Sequence, residues 1–293
     1  MGACAVVLAL ALAACTGGSA KPAAGSAAPT GPASSTTPRT AAPTSTSTPT
    51  DSGPVTLAFA GDVHFATKLA PLLDHPGNAL SSLQPYLGRA DFSMVNLETS
   101  ITTRGTAQPK QFHFRAPPTA FEAVQSGGVD AVTMANNHAA DYGPVGLSDT
   151  LRAIQRSPIP VVGIGTDERS AYGAKYVTLR GTRVALLAAT QVPDWTASHF
   201  AARGGTPGVA LALSPDRLVA AVRAAKKHAD VVVVFLHWGT DYTTCPNPLQ
   251  KSTATALAKA GAAVIVGAHA HKLQGAGWLG STYVDYGLGN FVW

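Results

Sequence analysis

Charge is scarce in this sequence. Asp, Glu, Lys and Arg make up 13% of its 293 residues, and cysteine and methionine occur three times each. Lys and Arg outnumber the acids by 21 to 16, but the resulting +5 is spread thinly. The densest basic run, Arg223, Lys226 and Lys227 with His228, reads as the solvated face of a helix. No basic stripe is interleaved with aromatics, so no nucleic-acid partner is expected. A diffuse positive balance is compatible with an anionic substrate without arguing for one. Two cysteines, Cys4 and Cys15, fall in the first fifteen residues, and Cys245 is left alone in the remainder, which excludes a disulfide within a folded domain. There is no internal repeat. A hydrophobic fraction of 46% suffices for a sizeable core, and without a second composition break the chain reads as one large domain.

The first fifteen residues, "MGACAVVLALALAAC", are too short and too small-ended for a spanning helix and read as the apolar region of a signal peptide. No Lys or Arg precedes the run. "LAAC" (residues 12–15) resembles a bacterial lipoprotein box, which would make Cys15 the acylated mature N-terminus. An ordinary secretory signal is the alternative, and either reading exports the protein. The expected location is therefore extracytoplasmic, at the cell envelope, with a membrane anchor through lipid on Cys15. One acyl chain holds a membrane weakly and several hold it firmly. Residues 16–54 are Ser, Thr, Pro, Ala and Gly with almost no large apolar side chain, a composition that cannot offset its ordering entropy. They read as a disordered linker, reaching on the order of 120 Å if extended at roughly 3.1 Å per residue.

Residues 55–293 read as the folded domain. Apolar, β-branched runs such as "VTLAFAGD", "FSMVN", "DAVTMAN", "RVALLAAT", "DVVVVFLH" and "AAVIVGAH" predict buried strands. Helical patterns lie between many of them, including "SPDRLVAAVRAAKKHA", where Ser214, Pro215 and Asp216 make a helix start, and "PLQKSTATALAKAG". Alternation of this kind indicates an α/β domain whose sheet is covered on both faces. The last run, "YGLGNFVW", stops inside an apparent strand, so the sequence reads as C-terminally truncated.

In open α/β sheets, ligands collect at the carboxyl ends of the strands. Five of the nine histidines sit there: His64 in "GDVH", His138 in "ANNH", His237 in "LHWG", and His269 and His271 in "GAHAH". Asp62, Asn96, Glu98, Asn136 and Asn137 occupy the same kind of position. Residues i and i+2 of an extended segment project to one side, so Asp62/His64 and His269/His271 each offer two ligands together. Alone, "DxH" or "NNH" is more often a turn and "HxH" is as often a structural pair; in this order at strand ends they predict one shared polar site. The set holds imidazoles, carboxylates and one amide oxygen but no thiolate, which suits Zn, Mn or Fe. Seven candidate ligands exceed what one tetrahedral zinc uses and point to two divalent ions.

The motifs "AFAGDVH", "VNLETSIT", "FHFRAPP", "MANNHAADYG", "LHWGTDY", "GAHAHKLQG" and "YGLGNFVW" resemble the CapA family of bacterial capsule and poly-γ-glutamate biosynthesis, itself similar to the calcineurin-like metallophosphoesterases. The resemblance implies a four-layer α/β/β/α metallophosphoesterase-like sandwich. It further implies one metal on Asp62, His64 and His271, a second on Asn137, His237 and His269, and Glu98 as the bridge. His138 would be the catalytic imidazole and Asp141 its orienting partner. The sequence departs from the wider superfamily where Glu98 replaces an aspartate and "NLE" replaces a glycine-aspartate pair. It departs from the family where Ala270 stands for proline and Asp241 for glutamate.

Three functions remain open at this stage. The first is a surface-anchored biosynthesis protein with a metallophosphatase-like site, handling an anionic surface polymer or its phosphate-linked precursor. The second is an exported metal-dependent phosphoesterase. The third is a non-catalytic partner in a membrane polymer-synthesis complex. Arg104 and Arg115, with Lys110 and His113, are candidates for contact with a polyanion, although a solvated loop explains them equally well.

Overall fold

The computed structural model describes residues 53–293 and a short strand at Val6–Ala9, which pairs antiparallel with Thr56–Phe59. Cys15, residues 16–52 of the expected linker and the rest of the expected signal segment lie outside the described residues. No helix among the described residues is long and apolar enough to cross a membrane.

The first sheet is built from β1 (Thr56–Val63), β2 (Phe92–Leu97), β3 (Ala131–Thr133) and β4 (Val161–Val162), parallel neighbours in that order. The chain then forms a second sheet from β5 (Lys175–Leu179), β6 (Thr182–Thr190), β7 (Val231–Trp238), β8 (Val264–His269), β9 (Ala276–Leu279) and β10 (Thr282–Asp285). Its order is β9-β10-β8-β7-β6-β5, parallel through the middle with an antiparallel strand at each edge. Finally β11 (Asn290–Val292) returns to the first sheet, parallel to β1.

Period-2 burial on both faces explains the layers. Leu186, Val233, Phe235 and Val264 of the second sheet meet Phe59, Met94 and Ala131 of the first in one buried cluster. Their alternating neighbours Ala185, Leu187, Val232 and Val234 pack under α3 (Asp216–Lys226) and α4 (Pro248–Ala260), through Leu218, Val222 and Leu257. On the far side, Val95, Leu97 and Val132 pack under α1 (Ala120–Ser126) and α2 (Gly143–Ile154), through Phe121, Val124 and Leu147. The result is a four-layer α/β/β/α sandwich. Each sheet has helices on one face and the other sheet on its second face, a distinction that continuous hydrophobic runs do not carry. A side chain such as Phe235, fully buried between the sheets, contributes roughly 1.5–3 kcal/mol.

Local signals explain the boundaries. Helix α3 begins at Asp216 as expected, but no side chain caps it, so Ser214 does not play that part. Helix α4 has the stronger start: Asn247 accepts from the Gln250 amide, Gln250 answers in kind, and Pro248 fills the first turn. Its end is set by Gly261 at φ 106°.

One irregularity positions the functional rim. Phe59 lies opposite Met94 and Asp62 opposite Asn96, so β1 holds one residue more than β2 over that stretch. Gly61 sits in the bulge, where a Cβ would overlap the carbonyl of Gly289. The Asp62 amide donates to that carbonyl at 3.0 Å, fixing the end of β1 against the approach to β11.

The two sheets are also clasped near the opposite end of β1. Asp91 accepts from the Thr56 amide and hydroxyl, both at 2.8 Å, and from Arg180 Nε at 2.7 Å in the turn between β5 and β6. The Thr56 amide, then Arg180, hold its carboxyl down at about 2, against an ordinary 3.8. A depressed carboxyl stabilises the fold at pH values above 3.8, and the contribution is lost as pH falls through the folded value. Asp91→Asn is expected to lower stability at neutral pH by about 1 kcal/mol, allowing for solvent screening. In denaturant titrations the gap between wild type and variant should close as pH falls from about 4 to about 2; a gap that stays constant would refute the assignment.

Candidate metal centre

Strands β1, β2, β3, β7 and β8 deliver their carboxyl ends to one rim, and the two sheets supply different chemistry there. The first contributes the carboxylates Asp62 and Glu98, both completely buried. The second contributes His237, also completely buried, with His269 and His271.

Asn96 holds the centre of the array. Its Nδ2 donates to Asp62 Oδ1 at 2.8 Å and lies 3.4 Å from Glu98 Oε2 and 3.1 Å from His237 Nδ1. Its Oδ1 accepts from Asn136 Nδ2 at 3.0 Å. Glu98 Oε1 is 3.5 Å from His237 Nε2 and 3.7 Å from His138 Nε2. Asp62 Oδ2 accepts from the His269 amide at 3.1 Å and lies 3.4 Å from His271 Nδ1.

Among the described residues, three sets of ligand atoms lie within 4.8 Å of one another: Glu98/His237/His269, Asp62/Glu98/His271 and Asp241/His269/His271. Glu98, His269 and His271 each belong to two of them. Asn137 borders the first set, with its Oδ1 2.8 Å from His237 Nε2. His64 joins none of the three. Its Nδ1 accepts from the Ala66 amide at 3.0 Å, and its ring stacks on Phe114 at 4.5 Å.

The His269–His271 segment is not the extended pair that its spacing predicts. Strand β8 ends at His269, which has φ 94°, and His271 has φ 52°. Both adopt a left-handed backbone that costs a non-glycine residue of order 1–3 kcal/mol. The turn brings the two rings to 5.8 Å, with Ala270 buried between them.

The donor set fits divalent cations. Glu98 Oε1 and His269 Nδ1 are buried with no hydrogen-bond partner. An unsatisfied buried polar atom costs about 1–3 kcal/mol unless something ligates it. Burial, then the charge of Asp62, pushes Glu98 well above the usual carboxylate range. Burial would raise Asp62 too, but the His271 hydrogen bond and the charges of His237 and His271 bring it below its ordinary value. Burial lowers His237 to about 4 and His269 to about 3, so both are neutral ligand-ready imidazoles at physiological pH. His271 goes the other way: its bond to Asp62 and the charge of Glu98 overcome burial and raise it to about 9. A cation on His271 has to displace that proton.

The wall carries a separate hydrogen-bonded chain. His138 Nδ1 donates to Asp141 Oδ2 at 2.6 Å, which leaves Nε2 facing Glu98. Asp141 also accepts from the Phe114 amide and from Lys110 Nζ, each at 2.7 Å. Lys110 reaches Asp194 at 3.0 Å and the Asn137 carbonyl. A cleft of about 400 Å³ opens above, lined by His64, Lys68, Phe112, Phe114, Tyr242 and Trp293 as well as the histidines.

The arginines expected near a polyanion lie elsewhere. Arg104 is bound to Asp149, and Arg115 lies over the Tyr142 ring at 4.6 Å; neither lines the metal cleft. Sequence reasoning placed Asn96 at a strand end without giving it a role, although its position two before Glu98 on a strand puts it on the same face. It also left Lys110 without its contact to Asp141, which joins residues 31 apart in sequence.

Comparison with known proteins gives the chain a lineage. The chain is 31% identical to the "PGA biosynthesis protein CapA" of Bacillus subtilis, over 81% of this chain and 63% of that protein. It is also 31% identical to the "Capsule biosynthesis protein CapA" of Bacillus anthracis, over 81% of this chain and 59% of that one. It thus spans about three fifths of the length of these relatives. A solved structure, a hypothetical protein from Thermus thermophilus, aligns over 80% of this chain and 75% of its own at 17% identity, with a TM-score of 0.47. Residues 56–293 match the family described as "Bacterial capsule synthesis protein PGA_cap", and the chain belongs to that family.

Proposed function

We propose that this protein serves the synthesis of an anionic capsule polymer, of the poly-γ-glutamate type, at the cell surface, with a dinuclear metallophosphatase-like centre as its working site. The observation that carries the reading is Glu98: a buried carboxylate shared by two ligand sets, with one oxygen left unpartnered. Family membership supplies the biological setting, and the signal-like residues 1–15 with Cys15 supply the proposed lipid anchor. The immediate ligand in this reading is the polymer or a phosphate-linked precursor, handled beside a membrane synthesis complex.

Bound divalent ions of the Mn, Fe or Zn class would supply Lewis acidity at a phosphoryl group. The protein's own groups would do the rest. Asp62, Glu98, His237, His269 and His271 would hold the ions, with Asn137 and His64 at the margins of the set. Asn96 orients Asp62. Asp141, held by Lys110, accepts from His138 Nδ1 and so turns Nε2 toward the cleft, where the ring, once protonated, can donate to a leaving group. The aromatic wall of Phe112, Phe114 and Trp293 limits water above the site.

Elemental analysis of the purified full chain should find about two equivalents of divalent metal, lost in a His269→Ala/His271→Ala double variant that circular dichroism shows to be folded. Folded wild type that stays metal-free after reconstitution with Mn, Fe and Zn overturns the centre. Turnover of small phosphodiesters should fall by at least about a hundredfold in His237→Ala. Bound metal without any turnover in the wild type would instead favour the non-catalytic assembly partner.

A further inference from the structure

A second cleft, of about 380 Å³, lies beside α2 and shares no lining residue with the metal cleft. Three guanidiniums, those of Arg104, Arg152 and Arg156, face it together with a single carboxylate, Asp149. Asp149 is already saturated. Arg104 grips it through Nε at 3.0 Å and through its terminal nitrogen at 2.5 Å, Thr102 Oγ1 donates at 2.7 Å, and Arg152 adds a further contact. The Arg156 guanidinium has no ion-pair or hydrogen-bond partner among the described residues, and the cleft offers it no second acid.

We infer that this cleft binds the carboxylates of an extended polycarboxylate chain, with Arg156 as the vacant fork. Asp149 shows the mode on the protein's own side chain, because one carboxylate there engages two guanidiniums. A planar fork matches a carboxylate in two-point contact, and Arg152 and Arg104 keep outward charge that Asp149 does not cancel. Pro118, Phe121 and Pro158 provide apolar wall between the charges, suited to the methylene spacers of a glutamate polymer rather than to a densely charged chain. The cleft also connects to the metal centre through the backbone. Residues 101–104 line it, and the same loop runs on to Phe112 and Phe114 in the wall of the metal cleft. A polymer held here lies alongside the working site without entering it.

The choice of a glutamate polymer rests on the proposed function; the anion cleft does not. The test titrates full-length protein with fluorescently labelled poly-γ-glutamate and, separately, with inorganic polyphosphate of matched length, at low and high salt. The expected result is salt-sensitive binding of polyglutamate, weakened by about tenfold in Arg156→Glu and by less in Arg156→Gln. Polyglutamate binding that ignores both Arg156 variants overturns the cleft and leaves the proposed function standing. Binding of polyphosphate alone, lost in Arg156→Glu, keeps an anion cleft but overturns its polycarboxylate assignment and counts against the proposed function. No binding of either polymer overturns the inference. The Arg156 side chain is exposed and unbonded, so its variants should fold, which circular dichroism checks.

Discussion

Two carboxylates buried side by side are the constraint around which the rest of this site is arranged. Asp62 and Glu98 are wholly removed from water, and the ion-pair contacts that reach them come from histidines. A buried charge is tolerated only when paired or ligated. Burial holds His237 and His269 neutral, whereas His271 is raised enough to carry a proton at neutral pH. Burial beside Asp62 pushes Glu98 toward its neutral form, a costly arrangement that bound divalent cations would reverse. Asn96, donating to Asp62 from the middle of the array, satisfies that carboxylate without supplying charge.

The positions of the candidate ligands were legible in the sequence because the fold writes them at abrupt transitions. A run such as "DVVVVFLHW" is apolar on both faces until a histidine interrupts it, and no packing requirement explains a polar group there. What lay beyond reach was the backbone between ligands. The spacing His269–Ala270–His271 suggests a continuing strand, yet the chain has turned left-handed at both histidines. That turn is set by the Asp62 carboxylate accepting from the His269 amide, a contact between residues 207 apart. His64, two after Asp62, lies outside the three candidate sets, with its Nδ1 on the Ala66 amide and its ring stacked on Phe114.

The layer arrangement shows a related ambiguity. Strands buried on both faces announce only that something covers each face. Here helices cover one and a second sheet covers the other, and the alternation of Leu186 with Leu187, or Val233 with Val234, is equally apolar in either case. The antiparallel edges β5 and β9 were also missed: they are short and exposed, with little hydrophobic pattern to mark them. The loop arginines illustrate a different failure. Arg104 and Arg115 sit close to the ligand motifs in sequence, but the loop carries them to opposite partners, Asp149 and Tyr142.

The candidate centre draws on both sheets. Glu98 follows a strand of the first, and His237 and His269 lie on strands of the second, so any cation held by these three would bond both sheets at once. The hydrophobic layer beneath brings the sheets together through Phe59, Met94, Leu186 and Phe235, and the Asp91–Arg180 clasp joins them toward the opposite end. Hydrophobic burial is non-directional and fixes the angle between the sheets only through side-chain fit. Ligation is directional and acts at the rim, where a small rotation moves the donors furthest. A ligand that binds only the folded state stabilises it by mass action, and one that spans two layers also selects their relative orientation. Under the proposed metal centre, the strained histidines and the unpartnered Glu98 oxygen are stability given up by the sandwich in exchange for cations that would span its halves.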